Sequence, residues 1–312
     1  FKPIDYKFYY YYDTSALTSQ MFERTYKGKT LEDVAKDFAR MNKVSLESFH
    51  KPEESRKLTQ LKGEMGKMVL ELKYKNKTSM LRMYDDRDVW PFESQFVASL
   101  KRLTAPNTIQ KVGFLEGALQ RVWNIGGDRN YALFSMYTGS RDALINNGFD
   151  IVGVGEGQEI PRDLSVLVVS DPKVAFSQEQ LDILRRYIDN GGNLLVTTEP
   201  GKQDIINPLL EMVGMEAKSG TLVSQNKGEV PNLLPATLTT EAGNLSQGAA
   251  GIYHARRKVM LPGATALEYQ HAAEKGFNVE PLLISQGDNQ WLKMGTLVND
   301  SAMVEFDDAA GD

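Results

Sequence analysis

Leu164-Ser165-Val166-Leu167-Val168-Val169-Ser170 is the stretch on which the fold turns. A near-continuous apolar run of this kind is what a central parallel strand, buried on both faces, requires. Next come Ser177 and Gln180 at capping-box spacing, then Leu181, Leu184, Tyr187 and Ile188 as an apolar stripe. Asn190-Gly191-Gly192 stops that helix, and Asn193-Leu194-Leu195-Val196-Thr197-Thr198 reads as another buried strand. A further helix over about 203–213 ends at Gly214. Toward the N-terminus, Gln110 to Leu115 reads as a short buried strand. Residues 130–147 read as a helical stretch closed by the terminator Asn146-Asn147-Gly148, and Phe149 to Val154 as a strand. Strand and helix alternating through short connections predict an α/β domain with a doubly wound, mostly parallel sheet over residues 106–312. From about residue 219 the pattern becomes β-rich and loop-rich, as in Lys258 to Leu261, Ala264 to Tyr269 and Pro281 to Ile284.

Residues 1–105 read as a smaller α+β domain, with Ala105-Pro106-Asn107 as the boundary. Its first strand is the aromatic run Asp5 to Tyr12, a strand packed on both faces or a stacking platform for sugars or bases. Thr30 caps a helix over about 31–42, with Asp33 at its third position and Leu31, Val34, Ala35 and Phe38 on one stripe. A second helix covers about 53–62. Met68 to Leu72 and Ser79 to Met83 flank the polar turn Lys75-Asn76-Lys77 as a hairpin. Pro91 then opens a helix over about 92–103 that carries Phe92, Phe96 and Leu100.

The 312 residues hold no cysteine, which removes disulfides, thiolate nucleophiles and Cys-based zinc sites. A chain of this length removes roughly three quarters of its unfolded surface from water without such staples. Charge is uneven: residues 1–105 carry 20 Lys and Arg against 15 Asp and Glu, while the remainder carries 16 against 26. Either these are two solvated surfaces, or the basic part faces an anionic membrane surface or the acidic part. Scattered lysines without an arginine stripe disfavour nucleic acid. No run of 18 apolar residues spans a bilayer. The start Phe1-Lys2-Pro3-Ile4-Asp5 reads as that of an excised or processed piece.

Catalytic signatures are missing. There is no phosphate-binding P-loop and no nucleophile elbow, and His50, His254 and His271 lack ligand spacing. Gly153-Val154-Gly155-Glu156-Gly157 has Gln158 where a dinucleotide loop needs its third glycine, and it reads as a turn. What remains is position: ligands of open α/β sheets sit beyond the carboxyl ends of the strands. Glu116, Asp171 and Glu199 follow three such ends, and Asp128 and Arg129 open the 130–147 stretch near the same rim. These are the candidate residues for a ligand or partner, as cation or substrate contacts, or else as caps and loop acceptors. No cofactor or metal is expected.

Several segments together resemble a known family. They are Phe114-Leu115-Glu116-Gly117, Asp128-Arg129-Asn130-Tyr131, Gly148-Phe149-Asp150, Ile160-Pro161, Val166 to Pro172, Tyr187 to Leu195 and Glu199-Pro200-Gly201. The series, with the hairpin and the Asp85 to Pro91 stretch, resembles the GldG-type auxiliary proteins of ABC transporters, known from gliding motility. The resemblance covers most of residues 67–224. It implies a flavodoxin/amidotransferase-like domain without that superfamily's catalytic cysteine, an extracytoplasmic, periplasm-facing location, and an anchor through transmembrane segments absent from this chain. It also implies ABC transporter permease and ATPase subunits as partners. Many members carry a Gly-His-Gly-Glu-like turn where this chain has Glu116-Gly117-Ala118-Leu119. The functional expectation is a non-catalytic auxiliary domain acting in recognition or scaffolding. The alternatives are a hydrolase or carbohydrate-binding protein using the acidic rim, and a sugar-binding module built on Tyr9 to Tyr12.

Overall fold

The computed structural model describes residues 10–11, 19–59, 64, 68–225, 230–285, 287, 289–295, 297 and 304–312. The chain divides into two units, Phe1–Lys111 with Trp123–Ile151 as unit 1, and Val112–Val122 with Val152–Asp312 as unit 2.

Unit 1 begins with β1 (Tyr10–Tyr11), α1 (Ser19–Thr25), α2 (Leu31–Asn42), β2 (Phe49–His50) and α3 (Pro52–Leu58). β1 pairs in parallel with β2, and the rest of the Asp5 to Tyr12 run lies outside the described residues. α2 starts as its sequence requires: the Asp33 N–H donates to Thr30 Oγ1 at 3.2 Å and the Thr30 N–H to the Asp33 carboxylate at 3.0 Å. α3 ends at Leu58, and residues 60–62 of the expected helix lie outside the described residues. β3 (Val69–Tyr74) and β4 (Lys77–Arg82) form the expected hairpin around Lys75-Asn76, with Lys75 in the left-handed region.

α4 (Glu93–Thr104) is present where expected, but the 92/96/100 stripe is not its inward side. Phe92, Phe96 and Leu100 are exposed, while Gln95, Ala98, Ser99 and Leu103 are buried. Hydrogen bonds select that face: Gln95 accepts from the Phe92 N–H at 2.9 Å and donates to Asn147 at 2.8 Å, and Ser99 Oγ donates to the Met80 carbonyl at 3.0 Å. After β5 (Gln110–Leu115), the long helix expected over 130–147 is not formed. Only α5 (Ala132–Ser135) and a 3-10 turn at Leu144–Asn147 are helical. Side chains capture the carbonyls a helix would use: Asn146 Nδ2 donates to Thr138 and Ser140, and Asn147 Nδ2 to Arg141 and Ala143. The terminator reading of Gly148 holds, with φ at 84°. Arg141, only 7% exposed, donates to Asp86 and to the Asp88 and Trp90 carbonyls, and stacks over Tyr84 and Phe92.

A four-stranded parallel sheet in the order β6-β5-β7-β8 organises the middle of the chain. Its further members are β6 (Phe149–Val154), β7 (Leu164–Ser170) and β8 (Leu194–Thr197). β5, β6 and β7 have the bounds their sequence predicts, and β8 is shorter by a residue at each end. α6 (Gln178–Asp189) joins β7 to β8, whereas residues 155–163 between β6 and β7 form turns. Leu115, Val154, Leu167 and Val169 of the strands pack with Ile183 and Leu184 of α6 and with Ile206 and Leu209 of α7 (Gln203–Leu210). Each fully buried aliphatic side chain here contributes about 1.5–3 kcal/mol. A Cβ at Gly113 would stand 2.5 Å from Leu164 Cδ1, so a larger residue there would displace that side chain. Ser177 caps α6, but Gln180 does not return the bond; it is fully buried and its Oε1 accepts from the Gly157 N–H at 2.8 Å.

Beyond Gly214 the expected β-rich region consists of β9 (Glu216–Ala217), β10 (Thr221–Ser224), β11 (Leu233–Leu238), α8 (Thr240–Gly243), α9 (Gln247–His254), β12 (Val259–Pro262), β13 (Leu267–Glu268), β14 (Leu283–Ile284) and β15 (Gln290–Lys293). These strands pair antiparallel as β10-β15, β12-β11-β14 and β13-β9. The fold is therefore mixed α/β. Among the described residues no helix is long and apolar enough to cross a membrane.

Candidate functional site

The carboxyl edge of the sheet in unit 2 concentrates unusual backbone. After β5 the chain passes through three successive left-handed residues, Gly117, Ala118 and Leu119, with φ of 103°, 47° and 49°. A left-handed non-glycine residue costs roughly 1–2 kcal/mol, so the surroundings must hold the turn. The Lys173 N–H donates to the Ala118 carbonyl at 2.8 Å and the Arg121 N–H to the Ser170 carbonyl at 3.0 Å. Ser170 answers with its N–H to Gln120 Oε1 at 2.9 Å and its Oγ to the Arg121 carbonyl at 2.9 Å. The turn is thus laced to the end of β7. There Asp171 is also left-handed, at φ 48°.

This lacing delivers Arg121 to the rim. Its guanidinium forms ion pairs with Asp171 and, at 2.6 Å, with Glu199; Lys173 forms a second pair with Glu199. The Asp171 side chain is 7% exposed and that of Glu199 42% exposed, so the network runs from the interior to solvent. The Lys173 hydrogen bond, with Arg121 beside it, holds the Glu199 carboxyl below the usual carboxylate range. Pairing with Asp171 and Glu199 keeps the Arg121 guanidinium protonated despite its partial burial. Gln120 Nε2 and Thr198 Oγ1 are buried at the same edge without hydrogen-bond partners.

Two of the five sequence candidates, Asp171 and Glu199, are therefore brought together. Glu116 is exposed and lies over Gly153, while Glu156 covers Gly117. Asp128 and Arg129 are exposed residues of unit 1. Sequence reasoning missed Arg121 and Lys173, the two cations that join the acids; the available signal was a basic residue shortly after each of two strand ends. The glycine run after β6 closes on itself as a turn, the Gln158 N–H donating to the Gly155 carbonyl at 3.1 Å. Gln158 Oε1 and Gln180 Oε1 accept from the Gly155 and Gly157 amides, which a dinucleotide loop would direct at phosphate. Among the described residues no three His, Asp or Glu side chains converge in a metal-binding arrangement.

Fold and rim together describe a mixed α/β domain with an ion-paired edge at the strand carboxyl ends. Residues 110–235, which carry the whole sheet and the rim network, match the model of the family described as ABC-type uncharacterized transport system. The match covers less than half of the chain and makes this region similar to that family. A solved structure titled "mmIFT52 N-terminal domain" is similar at 18% identity, over 52% of this chain and 69% of that one, with a TM-score of 0.38. No curated protein matches the chain.

Proposed function

We propose that the chain is a non-catalytic, extracytoplasmic domain of an ABC transporter auxiliary subunit of the GldG type, acting in recognition or scaffolding. Its partners on this reading are the permease and ATPase subunits, and its sheet is the doubly wound, amidotransferase-like chassis of that group. The observation that carries the reading is the family match over residues 110–235. The rim chemistry supports it: Asp171 and Glu199 are ion-paired with Arg121 and Lys173, and Glu199, whose carboxyl those cations hold below the usual range, is a poor general acid. Affinity isolation of the full-length parent protein from its native membrane tests it. Recovery of permease and ATPase subunits is the expected result; a parent that isolates without membrane partners refutes it.

One observation favours a second reading, a hydrolase or carbohydrate-binding protein that uses the rim. Strained backbone at Ala118, Leu119 and Asp171, beside buried unpartnered atoms of Gln120 and Thr198, is of the kind that clusters at ligand sites. Turnover of a glycoside or ester by the purified chain, abolished in Asp171→Asn, would establish this alternative.

A further inference from the structure

The outward face of α4 is an apolar surface with a charge toward each end. Phe96, Val97 and Leu100 are 45%, 50% and 39% exposed, and Trp90 and Phe92 just before the helix are 65% and 48% exposed. Residues four apart on an α-helix line up as one ridge. Phe92, Phe96 and Leu100 make one ridge, and Glu93, Val97 and Lys101 make the ridge beside it. The Phe92 ring is already held in place, with the Arg141 guanidinium carbon 4.0 Å from its centroid. Contiguous apolar surface rimmed by charge marks an interaction site, unlike single hydrophobic residues scattered over a surface.

The second ridge says what covers this face. Glu93 and Lys101 stand four residues to either side of Val97, and neither is ion-paired among the described residues. Turned end for end about Val97, the ridge exchanges acid for base. A two-fold axis over Val97 therefore sets Glu93 of one copy opposite Lys101 of the other, twice, with Phe96 and Leu100 filling the groove alongside. Parallel helices would instead set Glu93 against Glu93. An anionic bilayer fits this face less well, because the exposed acids Asp85, Asp86 and Asp88 crowd the segment that leads into it. We infer that the outward face of α4 is a self-association surface, an antiparallel α4–α4 contact between two copies of this chain. One helix face offers less than the roughly 800 Å² per partner of a standard interface, so the dimer is weak, with a Kd of about 10–100 µM. At about 1 µM the chain is then a monomer with this face in solvent. The contact is independent of the transporter reading, which stands whatever the outcome here.

Sedimentation equilibrium of the whole chain from about 1 to 500 µM tests it, and the weight-average mass should rise from one chain toward two. Glu93→Lys or Lys101→Glu alone sets like charges at both ends of the contact and should weaken association at least about tenfold. The two together should restore it to within about threefold of the parent. Phe96→Ser, which removes an aromatic anchor from each copy, should also weaken it about tenfold. Thermal midpoints at about 1 µM should match the parent's, because none of these side chains is buried in the monomer. A chain that stays monomeric at about 500 µM overturns the inference, and if it then sediments with phosphatidylglycerol-containing vesicles the face belongs to a bilayer instead. So does a dimer that Phe96→Ser leaves unchanged, or one that the folded double reversal fails to restore.

Discussion

α4 and α6 are both twelve residues long and both carry an apolar stripe, yet they present those stripes to opposite environments. In α6 the stripe turns inward, with Leu184 fully buried in a core of strand residues. In α4 the aromatic stripe stays in solvent, and the inward face is set by Gln95, Ala98 and Ser99. The contrast extends to the units around them. The sheet of unit 2 is held by apolar burial, which scales with area and has no preferred partner. The α4 region of unit 1 is held by directed polar bonds from Arg82, Gln95, Arg102, Arg141, Asn146 and Asn147. Apolar burial tolerates exchange among similar volumes, whereas polar fastening depends on named atoms.

That difference can be broken or sharpened one residue at a time. The tryptophans separate the units as reporters, since Trp90 and Trp123 belong to unit 1 and Trp291 to unit 2. Leu184→Ala should have the largest effect, about 4 kcal/mol, toward the upper part of the range for a fully buried leucine. Urea unfolding followed through Trp291 in a Trp90→Phe, Trp123→Phe background measures it; a cost below about 1 kcal/mol would show that α6 is not part of the core. Arg141→Met keeps much of the stacking volume over Tyr84 and Phe92 but removes every directed bond, and should cost about 3 kcal/mol. The complementary Trp291→Phe background reads that loss in unit 1. If Arg141→Met is neutral, polar fastening is not what holds this region. Gln95→Ala, which releases the Phe92 amide and Asn147, should cost about 1–2 kcal/mol in the same assay.

The same contrast explains what could be read from the chain. β5, β6, β7 and α6 were legible because burial on one or both faces writes a local period into the sequence. The hairpin and the α2 cap were legible because turn and cap chemistry is short-range. The loss of helix across 136–143 was legible only in part: the Asn146 and Asn147 bonds to carbonyls four to eight residues back are local, but Arg141 is anchored by Asp86, 55 positions away, which no window contains. Asp171 and Glu199 were found by their place after strands, while Arg121 came within reach only through the left-handed turn at Gly117 to Leu119.

Two smaller effects complete the series. Glu199 has its pKa depressed in the folded state, chiefly by Lys173, so its contribution is present at neutral pH and is lost as pH falls through the carboxylate range and below it. Because the side chain is 42% exposed, solvent screens the pair and the contribution should stay under about 1 kcal/mol. Glu199→Gln should therefore lower unit 2 stability slightly at pH 7 and lose that difference in acid. A difference that grows on acidification would contradict the ion pairing.

Phe96→Ser isolates the outward stripe of α4 and should change stability least, within about 0.5 kcal/mol, because the ring is already 45% exposed. Its informative partner is Ala98→Ser, about 200° round the same helix, where the added hydroxyl enters a site only 6% exposed. The pair shares helix, introduced residue and assay, so the ratio of the two costs measures which face is inward without reference to any other element. A ratio well above one, with Ala98→Ser dominant, is what hydrogen-bonded orientation of α4 requires. Equal costs would mean that the aromatic stripe is buried in solution, and the polar bonds of Gln95 and Ser99 would then not be what orients the helix.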